Sequence, residues 1–176
     1  MDAENLEFAD SSFDFVWSWG VIHHSADTRR ILQEIHRVLR PGGRATTMVY
    51  HRNWWNYYIY SGFFGGVMKR HLFKTRSLHE VRQAEIDGAI ARFYSISEWE
   101  KLVSEFFTVE DVLILGSKTE LIPLPGGRLK NAALSCVPDA LGRFFSVRCR
   151  LGAFLVSTFR KGRSAKRPGP GHVPGS

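Results

Sequence analysis

Between Ser12 and Tyr50 the chain reads SFDFVWSWG, then VIHHSADTRRILQEIHRVLRPGG, then RATTMVY. No other stretch restricts the fold as tightly. In the first segment Phe13, Phe15, Trp17 and Trp19 alternate with Val16 and Ser18, the pattern of a strand. Both faces are mostly apolar or small, which predicts a strand buried in a parallel sheet. In the second, Ile31, Leu32, Ile35, Val38 and Leu39 form one apolar helical stripe. Asp27 is placed to cap that helix, and Arg37 and Arg40 suit its carboxyl end. Pro41 disfavours helical geometry at Arg40, and Gly42 and Gly43 turn the chain. Arg44 to Tyr50 then forms a second strand. Strand, helix and strand make a right-handed βαβ unit with parallel strands.

The remainder is read with the same rules. Asn53 to Leu72 is aromatic and helical in part, and Lys74 to Ile90 is a polar helix or a connector. Ser97 is placed to cap a helix carrying Trp99, Leu102, Val103 and Phe106. Thr108 to Gly116 is a strand, LIPLPGGRL a loop, and NAALSCVPDALGRFF short helix and turn. Leu151 to Lys161 alternates as a last strand. The expected organisation is residues 1–50 as a core βαβ unit, 51–92 as an aromatic lid or insertion, and 93–161 as the final helices and strands. Residues 162–176 are expected to be a disordered basic tail.

A chain of 176 residues, 44% hydrophobic, suffices for one domain with a core. Its net charge of +7 is concentrated partly in Arg160, Lys161, Arg163, Lys166 and Arg167, so it signals a solvated tail more than a nucleic-acid surface. No nucleic-acid partner is expected. Cys136 and Cys149 are too few for a disulfide framework, which points to a reducing cytoplasm. The apolar run Trp54 to Met68 would span roughly 22 Å as a helix, short of a bilayer core of roughly 30 Å.

DAENLEFADSSFDFVWSWGVIHHSADTRRILQEIHRVLRPGG, residues 2 to 43, resembles the second half of a class I S-adenosylmethionine-dependent methyltransferase of the type 11 group. The acidic-Ala-Glu start, Ser-Phe-Asp, the Gly-Val-Ile-His-His step and Arg-Val-Leu-Arg-Pro-Gly-Gly all follow the family's pattern. Glu7 departs from it, standing where the family often has proline. SISEWEKLVSEFFTVEDV and GAFLVSTFRK resemble the family's late helix and closing strands more loosely. The implied fold is α/β, a partial Rossmann-like methyltransferase sheet comprising its last four strands with their helices.

The resemblance also implies roles. The cofactor would be S-adenosylmethionine. Asp2 would accept from the adenine amino group and the Ala3 amide would donate to an adenine ring nitrogen. Trp19, Gly20 and Val21, at the carboxyl end of the first strand, would lie beside the methionine portion and the methyl acceptor. Gly20 either permits close approach to a ligand or simply ends a strand. His23 and His24 are adjacent, which does not suit chelation of one metal, and no metal is expected. One of them can serve as the base for a hydroxyl acceptor, or both can pack and cap the following helix. Trp54, Trp55, Tyr57 and Tyr58, with Phe63 and Phe64, either roof a pocket for a small apolar or aromatic acceptor, or pack as a helix on the sheet, or meet a membrane surface. The glycines at 62, 65 and 66 would supply hinge freedom for such a lid.

The family's glycine-rich first turn and the acidic residue after its second strand have no counterpart in this sequence. The expectation is that three strands and two or more helices belong before Asp2, so that the chain is a truncated form that binds cofactor poorly. In the family's strand order, 3-2-1-4-5-7-6, Phe13 to Trp19 then becomes an exposed edge, open to a partner chain or to the missing half. Two other readings follow from the same residues: a non-catalytic partner subunit that completes another chain, and a membrane-surface protein.

Overall fold

The computed structural model describes residues 2–55, 57, 91–120, 122 and 127–162. Strand β1 (Phe13–Trp19) leads through a 3-10 turn (Ile22–His24) to helix α1 (Thr28–Val38) and strand β2 (Leu39–His51). A two-residue strand β3 (Phe93–Tyr94) precedes helix α2 (Ile96–Ser104) and strand β4 (Thr108–Leu115). Helices α3 (Arg128–Ser135) and α4 (Asp139–Arg143), a π-helical turn (Phe144–Arg148) and strand β5 (Phe154–Arg160) complete the described chain.

The sheet runs β1-β2-β5-β4. β1 and β2 are parallel, with Trp17 opposite Thr46 and Trp19 opposite Met48. β5 lies antiparallel between β2 and β4. This is the order expected of the last four strands, and it leaves β1 at an edge. β3 was not foreseen; it pairs with β2 at Tyr50 and His51, beyond the end of β1.

The Pro-Gly-Gly turn takes a different form from a plain helix stop. α1 passes into extended backbone at Leu39, and Arg40 to Gly43 form a bulge, because Phe13 pairs with Leu39 while Phe15 pairs with Arg44. Gly42 has φ +85°, and a Cβ on Gly43 would lie 2.9 Å from the Arg40 carbonyl oxygen. Both positions therefore call for glycine. Lys161 closes α1 from another element, donating from Nζ to the His36 and Leu39 carbonyls at 2.7 Å each.

The core lies on one side of the sheet. Ile31, Leu32 and Ile35 of α1 and Trp99 and Val103 of α2 pack on Ala45, Val49, Leu155 and Phe159. Trp99 is fully buried, and its Nε1 donates to Ser157 Oγ at 2.7 Å. Ser157 and Thr47 exchange a further hydrogen bond of 3.0 Å. Indole nitrogen only donates, so Ser157 accepts from Trp99 and still has a hydroxyl to share with Thr47.

The opposite side departs from expectation. β1 is not buried on both faces: Phe15, Trp17 and Trp19 are exposed, Trp17 at 59%. Only the Val16 side meets the core. The capping residue of α2 also differs. Ser95, not Ser97, accepts from the Glu98 amide, and Glu98 returns to the Ser95 amide at 3.0 Å, a complete capping box. The segments read as a lid core (58–90), as most of the first part of the LIPLPGGRL loop (121 and 123–126) and as a basic tail (163–176) lie outside the described residues.

Candidate functional site

The site is built where β1, β2 and β3 end together. Gly20 breaks β1 with φ +75°, a conformation that suits glycine and turns the chain sharply off the sheet. Val21 is exposed, and Ile22 and His23 drop into the interior. Asp27 then accepts from the Arg30 amide at 3.0 Å and starts α1, as its position predicts.

Tyr50, one residue from the end of β2, is the centre of the aromatic cluster here. Its ring lies 3.9 Å from the His23 ring and stacks on Phe93 at 5.3 Å. His24 meets the same tyrosine edge-on at 5.8 Å, and Tyr57 adds to Phe93 at 5.4 Å. The Arg92 amide donates to the His23 carbonyl at 2.9 Å, and the Arg92 guanidinium reaches the Ala26 carbonyl. Tyr50, Arg92 and Phe93 were missed in the sequence. Tyr50 looked like an ordinary strand residue, and only the β3 pairing brings Arg92 and Phe93 to it.

His23 is fully buried, and among the described residues neither ring nitrogen meets good hydrogen-bond geometry, the Met48 main chain being its nearest polar influence. Burial pushes its pKa down to about 4, the neighbouring His24 lowers it further, and the Met48 main chain opposes the shift weakly. At neutral pH it is an uncharged ring packed on Tyr50, and a weaker base than an ordinary imidazole. His24 is partly exposed and adjacent, with its ring 4.3 Å from that of His23.

The N-terminal turn docks beside this site. Asp2 is exposed, and one carboxylate oxygen accepts from the Glu4 amide at 2.9 Å. Glu4 was not foreseen as an anchor. Its carboxylate takes the Ser25 hydroxyl and the Asp27 amide, and its carbonyl accepts from Arg30 Nε at 3.1 Å. Ala3 packs against the core. It shares with Trp19 and Val21 an apolar cleft of ≈ 420 Å³ along the unpaired edge of β1, lined from one face by Phe15 and Trp17 and from the other by Val16, Ile31 and Ile35. Three of the five residues expected to hold the cofactor therefore line one cleft, with Asp2 and Gly20 next to them in sequence.

Of the expected acceptor residues, Trp54 is exposed, Trp55 meets it edge-on at 5.3 Å, and Tyr57 is buried. Tyr58 lies outside the described residues. Tyr57, Phe93 and Tyr94 help to line a second cavity, of ≈ 620 Å³, rimmed by Arg52, Arg92 and Glu98. Among the described residues, no three His, Cys, Asp or Glu side chains are grouped to hold a metal. No described helix is long and apolar enough to cross a membrane.

Comparisons with known proteins bear on the family and the fold. A family model described as a methyltransferase domain matches residues 1–47. Protein YafE of Escherichia coli (strain K12) is 33% identical over 123 residues, 69% of this chain and 49% of YafE. The biotin biosynthesis bifunctional protein BioHC of Cellvibrio japonicus (strain Ueda107) is 57% identical over 44 residues, 25% of this chain and 9% of BioHC. The chain thus spans about half the length of YafE. Among solved structures, a Haloferax volcanii methyltransferase in complex with its activator Trm112 superposes with TM-score 0.56 at 17% identity, covering 95% of this chain and 61% of the other. An S-adenosylmethionine-dependent methyltransferase from Mesorhizobium loti superposes with TM-score 0.54 at 19% identity, covering 92% of this chain and 68% of the other. At these identities the likeness speaks to fold.

Proposed function

Because the chain belongs to the class I S-adenosylmethionine-dependent methyltransferases, we propose that it supplies the acceptor side of a site that moves a methyl group from S-adenosylmethionine to a small apolar acceptor. The observation that carries this reading is the cleft along β1 whose lining includes Ala3, Trp19 and Val21, the last two flanking the turn that leads to His23 and the Tyr50 ring. A flat adenine ring suits the Ala3, Trp19 and Val21 end of that cleft, which leaves the Phe13 to Trp17 edge free to pair, and one edge of the ring is polar. The Asp2 carboxylate has an oxygen to spare for an amino group. Among the described residues, the Ala3 amide is left without a partner, ready to donate.

The bound cofactor would supply a methyl group activated on a sulfonium. The chain's own residues would do the rest. Gly20 lets the backbone approach closely, and the aromatic cluster around Tyr50 excludes water and orients the acceptor. His24 takes the acceptor's proton as its bond to the methyl forms, while His23 holds the turn in place from beneath. The open edge of β1 is where the remainder of such a domain would pair, and the contacts to the cofactor's ribose and amino acid would come from there. The same free edge also suits a non-catalytic subunit that completes another chain.

Calorimetric titration of residues 1–176 with S-adenosylmethionine tests this proposal. Weak or unmeasurable binding is expected for the chain alone, and tight stoichiometric binding would overturn the incompleteness of the site. A methyl-transfer assay with added unmatched portion of YafE tests the enzyme reading. Transfer that appears only on mixing, and is lost with His24→Gln, supports it. If the two parts form a complex that binds cofactor yet transfers nothing, the subunit reading replaces it.

A further inference from the structure

The cavity of ≈ 620 Å³ between β3 and α2 has an apolar body, lined by Tyr57, Phe93, Tyr94 and Leu102. Tyr57 is buried, and its ring lies 5.4 Å from Phe93, the ring that stacks on Tyr50. Tyr94 leans on Trp99 at 5.1 Å and shares a hydrogen bond of 2.8 Å with the Thr28 hydroxyl. The Arg52 amide donates to the Tyr94 carbonyl at 2.8 Å, and the Arg92 amide to the His23 carbonyl at 2.9 Å. The walls are therefore fixed by some of the same contacts that build the candidate site, and Phe93 belongs to both.

The charges that line the cavity do not cancel. They are Arg52, Arg92 and Lys101 against Glu98 and Glu105. Arg52 pairs with Glu98 at 2.5 Å, and Glu105 pairs with Arg29 at 2.6 Å. Glu98 also accepts from the Ser95 amide and hydroxyl. Both carboxylates are thus engaged, and Arg92 and Lys101 are left over. Among the described residues, the Arg92 guanidinium donates only to the neutral Ala26 carbonyl, and Lys101 has no acidic partner. Burial pushes the Tyr94 pKa up and the Arg92 charge opposes it, which sets that guanidinium near the Tyr94 hydroxyl. Aromatic walls with a surplus guanidinium complement a planar apolar body that ends in a carboxylate, whose two oxygens match the guanidinium fork. Glu98 and Glu105 on the same rim weigh against a doubly charged group such as a phosphate ester.

We propose that this cavity binds a small aromatic carboxylate, with the ring against Tyr57, Phe93 and Tyr94 and the carboxylate on Arg92, where Lys101 adds attraction. Arg92 then separates a carboxylate from a neutral molecule of the same shape. On the methyl-transfer reading this ligand is the acceptor, an apolar body carrying one charge. That assignment rests on the reading, and the binding does not.

Fluorescence titration of the full chain with naphthoate, naphthamide and naphthyl phosphate tests it. Naphthoate is expected to bind about tenfold more tightly than the other two. Arg92→Ala should weaken naphthoate about tenfold and leave naphthamide unchanged, and Arg92→Lys should restore part of the loss. Lys101→Ala should weaken naphthoate about threefold. An unaltered naphthamide affinity and far-UV circular dichroism show that the walls of these variants are intact. Undetectable naphthoate binding, equal affinity for naphthoate and naphthamide, tighter binding of the phosphate, or naphthoate binding indifferent to both Arg92→Ala and Lys101→Ala overturns the proposal. Each of these leaves the methyl-transfer reading standing. Naphthoate binding that follows Arg92, with no transfer when the unmatched portion of YafE is added, supports the site and removes only the acceptor role.

Discussion

Arg37 Nη2 lies 2.8 Å from Glu34 Oε2, one turn away on α1, and together they fasten the N-terminal segment to the helix. Glu34 also accepts the Leu6 amide at 3.0 Å, and Arg37 donates to the Leu6 and Phe8 carbonyls and to Asp10. The Arg37 hydrogen bond holds the buried Glu34 carboxyl below its usual range. Glu34→Gln should destabilise the fold by about 2 kcal/mol and free residues 2–10 to exchange. A depressed carboxyl stabilises above the unfolded value of 4.5 and loses that contribution as pH falls through the folded value. The variant's acid limb should therefore be shallower, measured by denaturation across pH 2–6 with amide exchange at residues 2–10.

His23 adds a second pH dependence. Its folded pKa of about 4 lies below the ordinary 6.5, so the unfolded chain binds the proton first. Stability is full above 6.5 and falls as pH drops toward about 4. His23→Phe keeps the ring on Tyr50 and removes the titration. It should hold roughly 2 kcal/mol more stability than wild type at pH 4, with a smaller difference at pH 8, in urea melts.

Trp99 and Ser157 should behave as one unit. Trp99→Phe and Ser157→Ala each leave a buried polar atom short of its partner and should each cost about 2 kcal/mol. The double variant should cost less than their sum by about 1 kcal/mol, which a thermodynamic cycle reads directly.

Trp17 and Trp19 stack 5.2 Å apart, 4° from parallel, on the open face of the edge strand. A free edge with exposed indoles invites pairing between chains. Trp17→Lys should shift light-scattering mass toward monomer and change folding stability by less than about 1 kcal/mol. An unchanged mass would show that β1 does not drive association.

Gly152 tests the crossing that brings β5 to the site. A Cβ there would lie 2.3 Å from the Leu115 carbonyl oxygen, which is backbone and has little room to yield. Gly152→Ala should cost about 2 kcal/mol or more and weaken the His51 Nδ1 hydrogen bond to the Gly152 carbonyl, seen as a shift in the His51 ring signals.

Much of this architecture was legible in local pattern. The alternation of Phe13 to Trp19, the stripe from Ile31 to Leu39 and the Asp27 cap announced a parallel βαβ unit, because each depends only on neighbours within a turn or a strand. The family resemblance placed Ala3, Trp19 and Val21 together, and one cleft holds all three. Two readings failed for want of long-range information. Alternating aromatics cannot reveal whether a second layer covers them, so β1 read as buried when one face is open. Ser95 and Ser97 are equally good capping residues locally, and Glu98 selected Ser95 by closing the box.

By itself the sequence determined the class of the fold and the order of β1, α1, β2, α2, β4 and β5, since short-range periodicity and turn chemistry decide these. The tertiary structure alone decided that His23 is sealed and uncharged, that Tyr50 and Phe93 meet, and that Phe144 faces outward while Gly142 faces in. Each of those depends on which distant segment excludes water from a side chain, and burial of that kind is a property of packing between segments far apart in the chain.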